Sequence, residues 1–147
     1  MSIDENKAVA QRWYASLSQG NGDLSTRLAA ALNDLFTPDF VDHNPATQAA
    51  GGGRAGFERV AGSMFASVKE VRMSVEDMIA EGDKVVARFT VHMTFQGDFM
   101  GAPAAGKTVT QTAIDILRFE GGKIAEHWGE ADTLGMMQQL GVIPVPE

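Results

Sequence analysis

The chain has 147 residues, no cysteine and a formal charge of −7, and 44% of its residues are hydrophobic. A chain of this length buries roughly two thirds of its unfolded surface, so residues 1–147 are predicted to form one domain that needs no disulfide, and a thiol nucleophile is excluded. The acidic balance, 19 Asp plus Glu against 12 Lys plus Arg, disfavours nucleic acid and anionic membranes as partners, because both attract clustered Lys and Arg.

The beginning of the chain predicts two helices. Ser2 and Glu5 form a possible capping box, and the amphipathic helix that follows is expected to stop at Gly20. Asp23 is a candidate cap for a second helix, which Pro38 is expected to end. The first residues lack a basic and apolar leader, and no run of about 18 apolar residues follows, so we expect a cytoplasmic location.

A short extended segment from 36 to 43 precedes a Pro- and Gly-rich segment from 44 to 53, which predicts a loop. Gly51, Gly53 and Gly56 match the spacing of a dinucleotide fingerprint, but no strand precedes them and no βαβ unit follows, so nucleotide binding is not expected. Apolar residues then recur at helical spacing and predict a third helix: Phe57, Val60, Ala61, Met64, Phe65 and Val68.

After residue 67 the hydrophobic period changes from that of a helix to that of a strand. Gly82-Asp83 and Gly121-Gly122 are typical of tight turns between strands, a Gly- and Ala-rich loop spans 97–106, and a last helix is expected over 133–140. The order α-α-β-α-β-β-β-β-α predicts an α+β fold in which helices cover a curved antiparallel sheet and leave a conical pocket.

Two ionisable residues on neighbouring predicted strands are the main candidates for chemistry. Asp115 lies among apolar residues, where a carboxylate is costly unless it is paired. Counting outward from the second turn pairs Asp115 with Trp128, and a one-residue bulge would bring Asp115 level with His127. An Asp–His pair suits general acid/base catalysis, and the alternative is a structural buried hydrogen bond.

The other two histidines are weaker candidates. His43 lies in an Asp-His-Asn-Pro segment, where it is either a turn residue or part of a pocket mouth. His92 alternates with inward-facing residues and is expected to face solvent or an interface. The three histidines lack the spacing of a metal site, so no metal is expected.

Several segments resemble the SnoaL-like polyketide cyclases. They are Gly-Asp-Lys-Val-Val-Ala-Arg at 82–88, Gly-Asp-Phe-Met-Gly-Ala-Pro-Ala-Ala-Gly-Lys at 97–107, Gly-Lys-Ile-Ala-Glu-His-Trp at 122–128, Gln-Gln-Leu-Gly at 138–141 and Asp-His-Asn-Pro at 42–45. The resemblance covers nearly the whole chain. It implies the nuclear-transport-factor-2-like cone fold, which is commonly dimeric or tetrameric.

The same resemblance implies a cofactor-independent enzyme that abstracts a proton next to a carbonyl group of an apolar small molecule, with aldol cyclisation as the family example. Asp115 would be the base, and His127 would orient it or donate to the enolate oxygen. In such cyclases the acid/base aspartate typically follows the histidine by two positions, where this chain has Gly129. The residues expected to bind substrate are His43, Phe40, Phe95, Phe99, Met100, Trp128 and Asp132.

Two alternatives stay open at this point. One is a non-catalytic ligand-binding or association domain, which is favoured by Met93, Phe95 and Gly129 where the cyclases carry polar groups. The other keeps the fold but changes the reaction to isomerisation, epoxide hydrolysis or hydroxylation. The expected partners are an apolar small molecule and further copies of the chain, as a homodimer or homotetramer, without nucleic acid, membrane or cofactor.

Overall fold

The computed structural model describes residues 2–20 and 22–147. Within these ranges the helices are α1 Ile3–Ser16, α2 Leu24–Leu35, α3 Pro45–Ala49, α4 Gly53–Phe65 and α5 Thr133–Gln139. The strands are β1 Phe36–Asp42, β2 Val68–Glu81, β3 Lys84–Phe95, β4 Thr108–Glu120 and β5 Lys123–Ala131. The order of elements agrees with the predicted one except for α3.

All five strands form one sheet with the order β1-β5-β4-β3-β2. The strands β2 to β5 form the predicted antiparallel meander, and β1 adds to its edge by pairing with β5 in parallel. The helices α1, α2 and α4 contribute their apolar residues to a core on one side of the sheet, which we call the inner face. The predicted α+β fold is therefore confirmed.

The alternation of buried side chains defines the inner face along the central strands. In β3 the odd-numbered residues from Val85 to Phe95 are buried, and in β4 the odd-numbered residues from Val109 to Phe119 are buried. The even-numbered residues of both strands point to the opposite side, the outer face. Asp115 thus belongs to the inner face although it is charged.

The helices α1 and α2 begin where the capping signals predict, but both end earlier than predicted. The capping box of Ser2 and Glu5 is present, and Asp23 accepts a hydrogen bond from the Thr26 amide at 2.8 Å. However, α1 ends at Ser16 rather than Gly20, and α2 ends at Leu35, so that Pro38 lies inside β1.

The prediction of a loop over 44–53 is wrong, because this segment contains α3. Asn44 caps α3 by accepting a hydrogen bond from the Ala46 amide at 2.9 Å, and Pro45 occupies the first helical position, where its missing N–H costs nothing. The following helix, α4, begins at Gly53, four residues before the first apolar residue of the predicted stripe, Phe57.

The β4–β5 hairpin contains the bulge that the sequence permits. Next to the turn, Phe119 pairs with Ile124, but Arg118 then pairs with Glu126, so Ala125 is an extra residue in β5. Beyond the bulge, His127 and Gly129 lie opposite inner-face residues of β4. The bulge therefore places His127 on the same face of the sheet as Asp115.

No helix in residues 2–20 and 22–147 combines the length and apolar character needed to cross a lipid bilayer.

Candidate active site

His127 lies between two carboxylates. Its Nδ1 is 2.8 Å from Asp42 Oδ1, and its Nε2 is 2.8 Å from Asp115 Oδ1. Asp42 reaches this position because β1 pairs in parallel with β5, which sets Asp42 beside His127. A neutral imidazole has one N–H and an imidazolium has two, so only the cation donates to both carboxylates.

The surroundings favour the charged form of His127. Burial acts to lower the pKa of His127, but the hydrogen bonds and charges of Asp115 and Asp42 outweigh it and raise the pKa to about 10. Burial likewise acts to raise the pKa of Asp42, but the hydrogen bonds from His127 and Thr47 hold the pKa of that carboxyl below its ordinary value. His127 is therefore a cation at neutral pH.

Asp42 is held by donors on both of its oxygens. Thr47 Oγ1 donates to Asp42 Oδ2 at 2.6 Å, and the Asn44 amide donates to Asp42 Oδ1 at 3.3 Å. The short helix α3 supplies Thr47, which is 1% exposed, as is Asp42. The helix that the sequence did not predict thus fixes one side of the site.

Tyr14 of helix α1 joins Asp42, Asp115 and His127, and we call these four residues the cluster. The Tyr14 hydroxyl donates to Asp115 Oδ2 at 2.9 Å, and the centroids of the Tyr14 and Phe89 rings are 4.7 Å apart. Burial and the neighbouring charge of Asp115 raise the pKa of Tyr14, so the hydroxyl keeps its proton. Both oxygens of Asp115 are therefore engaged, one by His127 and the other by Tyr14.

Sequence reasoning did not assign roles to Tyr14 and Asp42. Tyr14 is 101 positions from its partner Asp115, and Asp42 is 85 positions from its partner His127, so neither contact is visible in local spacing. The one available signal for Tyr14 was a hydroxyl on the apolar stripe of α1, because a buried hydroxyl requires a partner.

Asp115 has small neighbours on both sides. It pairs with Ala87 of β3 and Gly129 of β5. A Cβ at Gly129 would come within 2.7 Å of Asp115 Oδ1 and 2.8 Å of His127 Nε2. Gly129 is partly exposed and Ala131 is exposed, so the inner face opens to solvent towards the end of β5.

The rest of the site is closed by side chains. The Phe57 ring meets the His127 ring edge-on, with a centroid distance of 5.9 Å. The Phe40 ring packs on the Phe57 ring, with a centroid distance of 5.7 Å. Two surface depressions, of about 530 Å³ between α1 and α2 and about 240 Å³ beside the two hairpin turns, are lined by residues other than Asp115 and His127. On the β5 side, Asp115 is bordered by Gly129, which is partly exposed.

Two of the predicted substrate-binding residues lie on the outer face. His43 stacks on Trp128 with a centroid distance of 4.6 Å and an interplanar angle of 4°. His43 Nε2 is also 2.7 Å from Glu126 Oε2, and Arg118 Nε donates to the other oxygen of Glu126 at 2.6 Å. Strand alternation directs Trp128 away from the face of His127, so the structure does not bring this pair to Asp115.

The remaining predicted residues are also separate from the cluster. Asp115 pairs with Ala87, and Phe95 lies eight residues further along β3, a distance of about 26 Å. Phe99 packs on Phe95 at 5.3 Å, and Met100 is 68% exposed in the following turn.

Asp132 has a structural partner. It caps α5 by accepting a hydrogen bond from the Gly135 amide at 2.9 Å. Of the seven residues expected to bind substrate, Phe40 packs on the Phe57 ring that contacts the His127 ring, and His43 contacts His127 through its backbone amide, which donates to the His127 carbonyl at 3.0 Å.

Comparison with known proteins identifies the family. Residues 8–140 match the SnoaL-like polyketide cyclase family. The chain belongs to this family. It is 28% identical over 117 residues, covering 79% of this chain and 71% of the relative, to the aklanonic acid methyl ester cyclase DauD of Streptomyces sp. strain C5.

Solved structures of related proteins share the fold. AclR of Streptomyces galilaeus, provisionally assigned as a hydroxylase, has a TM-score of 0.82 and 26% identity, covering 99% of this chain and 87% of AclR. IdmH of Streptomyces antibioticus, provisionally assigned as a polyketide cyclase, has a TM-score of 0.77 and 28% identity, covering 92% of this chain and 98% of IdmH. The relatives named as cyclases support a cyclase-like enzyme at the family level.

Proposed function

We propose that this chain abstracts a proton next to a carbonyl group of an apolar small molecule and closes a ring by intramolecular aldol addition. Family membership and relatives named for the cyclisation of aklanonic acid methyl ester support this reaction class. The observation that carries the proposal is the position of His127, 2.8 Å from the carboxylates of both Asp42 and Asp115.

Among the polar groups of the cluster, Asp115 is the suitable base. His127 already carries both of its protons, and Tyr14 keeps its own proton because its pKa is raised. Asp42 and Asp115 both have two hydrogen-bonded oxygens, but Asp42 is the less exposed of the two, at 1% against 7%. Asp115 Oδ1 borders the space beside Gly129, and this is the side from which the proposal has the substrate C–H bond approach.

His127 supplies the complementary charge. When Asp115 takes the proton from carbon, it becomes a weaker hydrogen-bond acceptor for the Nε2–H of His127. This N–H is then free to donate to the enolate oxygen. The enolate carbon then forms a bond to a second carbonyl carbon of the same molecule, and Asp115 returns its proton to the new alkoxide. Atoms and protons balance in this sequence without a redox step.

A second candidate is a non-catalytic domain in which the cluster is structural. The hydrogen bonds of Tyr14, Asp42, Asp115 and His127 join α1, β1, β4 and β5, and Asp115 is only 7% exposed. Such a network stabilises the fold whether or not a substrate binds. The two functions differ in what the D115N substitution does to turnover.

The test uses aklanonic acid methyl ester as the probe, in D₂O, with products followed by mass spectrometry. The wild type is expected to introduce deuterium next to a carbonyl group and to form a cyclised isomer. D115N is expected to lose about 100-fold or more of the deuterium uptake while remaining folded. The matched control is D39N, which makes the same change at an exposed position of β1 and should match the wild type.

The possible results separate the candidates. Deuterium uptake by D115N at the wild-type rate would remove Asp115 from the mechanism. A wild type that neither exchanges nor cyclises the probe would contradict cyclisation of this ester. A product that gains one oxygen atom would indicate hydroxylation instead.

A further inference from the structure

The proposed reaction changes the surroundings of His127 midway. In the resting site His127 lies between the carboxylates of Asp115 and Asp42. Once Asp115 has taken the substrate proton, it is neutral and no longer balances the imidazolium. Asp42 is then the one carboxylate left in contact with His127, and it touches the nitrogen that faces away from Asp115.

We infer that Asp42 is a positioning residue that keeps His127 a cation throughout the reaction, so that His127 acts as a fixed hydrogen-bond donor and never as the base. The catalytic consequence rests on the proposed function. The charge of His127 is measurable without any substrate.

The contacts of Asp42 fit this role. Asp42 is 1% exposed, and the donors Thr47 and Asn44 hold its carboxylate in one orientation, with Oδ1 aimed at His127 Nδ1. Because these donors are a hydroxyl and a backbone amide rather than cations, they orient the negative charge without neutralising it.

The other groups that face His127 do not replace Asp42. From β4 it is faced by Asp115, and from α1 Tyr14 acts only through Asp115. From α4 the neighbour is the Phe57 ring, which is uncharged. Among the described residues, Asp42 and Asp115 are the acidic side chains in hydrogen-bond contact with His127.

The test is NMR of the imidazole nitrogens in ¹⁵N-labelled protein as a function of pH. The D115N variant represents the neutral state of Asp115, and its His127 should remain an imidazolium at neutral pH. In the D42N/D115N double variant, His127 should be neutral there, with a titration midpoint at or below about 6.5. D39N, measured in the same way, should leave His127 unchanged from the wild type.

Either of two results would overturn the inference. A neutral His127 at neutral pH in folded D115N would show that Asp42 does not suffice. A cationic His127 in the double variant would show that Asp42 is not needed. If the double variant does not fold, D115N alone still decides, and neither result depends on whether the ester is turned over.

A kinetic measurement on D42N separates charge control from a purely structural role. Its rate of deuterium uptake from D₂O should fall as the pH rises above the lowered midpoint of His127, by about tenfold per pH unit, and should recover as the pH is lowered. A loss equal at every pH would assign Asp42 a structural role only. A wild type inactive on the ester, combined with the expected NMR results, would contradict the proposed function and leave the role of Asp42 in place.

Discussion

Gly129 lies directly opposite Asp115 in the β4–β5 pair, and the space left by its missing side chain borders the hydrogen bond between Asp115 and His127. Because a Cβ at Gly129 would come within 2.7 Å of Asp115 Oδ1, a side chain on β5 and the carboxylate on β4 would compete for the same volume. The cluster therefore has room for one carboxylate at this point of the sheet, and this chain carries it on β4.

Gly129→Ala is expected to destabilise the fold by about 1–3 kcal/mol, because the added methyl group overpacks the contact between Asp115 and His127. The free energy of unfolding in urea measures this change. The control is Gly62→Ala in α4, where an added Cβ meets no atom within 4 Å and helix propensity favours alanine. Equal stability of both variants would contradict the close approach at Gly129.

Tyr14→Phe removes the hydroxyl that donates to Asp115 Oδ2 and keeps the ring that packs on Phe89. Because the hydrogen bond is buried and its acceptor is a carboxylate, the variant should lose about 1.5–3 kcal/mol of stability. Denaturant unfolding of the two proteins gives the value. A stability unchanged within error would mean that the hydroxyl has no bond to Asp115 in solution.

Tyr14 is the only tyrosine of the chain, so the phenolate absorbance reports on this one residue. Its pKa is raised by burial and by Asp115, and we expect no phenolate in the folded protein at the pH where free tyrosine ionises, about 10. Since the folded state holds the proton more tightly, stability should fall as the pH rises above that value. Phenolate formation near the ordinary pKa in the folded protein would contradict the buried position of Tyr14.

His127 should make stability depend on pH between its ordinary pKa of 6.5 and its folded pKa of about 10. A raised pKa stabilises the folded state fully below 6.5, and this contribution, on the order of a few kcal/mol, is lost as the pH rises towards 10. Urea unfolding at a series of pH values tests this. The decline should be largely absent in H127Q, and a decline of the same size there would assign it to other groups.

The dimer or tetramer implied by the family resemblance remains a prediction, and a row of apolar residues on the outer face is a candidate interface. Ile79, Val86, Ile116 and Trp128 form a row of paired positions across four strands, with Ile79 63% and Ile116 36% exposed. Ile116→Glu should give a monomer by light scattering if this row is the interface. The control is Thr112→Glu, on the same strand and face. A monomeric wild type would show the oligomer prediction to be wrong.

The strands and their turns were predictable from the sequence because each depends on local chemistry. The alternation of residues in β3 and the glycine turn after Glu120 set the pairing of the meander. The contact between Asp115 and His127 followed from counting along the hairpin, although only the structure shows that the bulge is present.

Long-range placement was the part that the sequence did not reveal. Aromatic residues such as Phe95 and Phe99 were expected near Asp115, but their position at the far end of the sheet follows from register across several strands. Asp42 acquires its role only because β1 crosses to pair with β5 in parallel. Such contacts depend on the whole fold, and no local pattern encodes them.

The extra residue Ala125 decides which side chain of β5 meets Asp115. If β5 kept Ala125 but continued the register of the turn without a bulge, Trp128 would pair with Asp115 and face inward, and His127 would face outward. A slip of one position would thereby replace the acid–base centre with an aromatic side chain, with no change in the sequence. Deletion of Ala125 has the opposite effect, because it removes the bulge and keeps His127 opposite Leu117, so evolution can shorten this hairpin by one residue without losing the cluster.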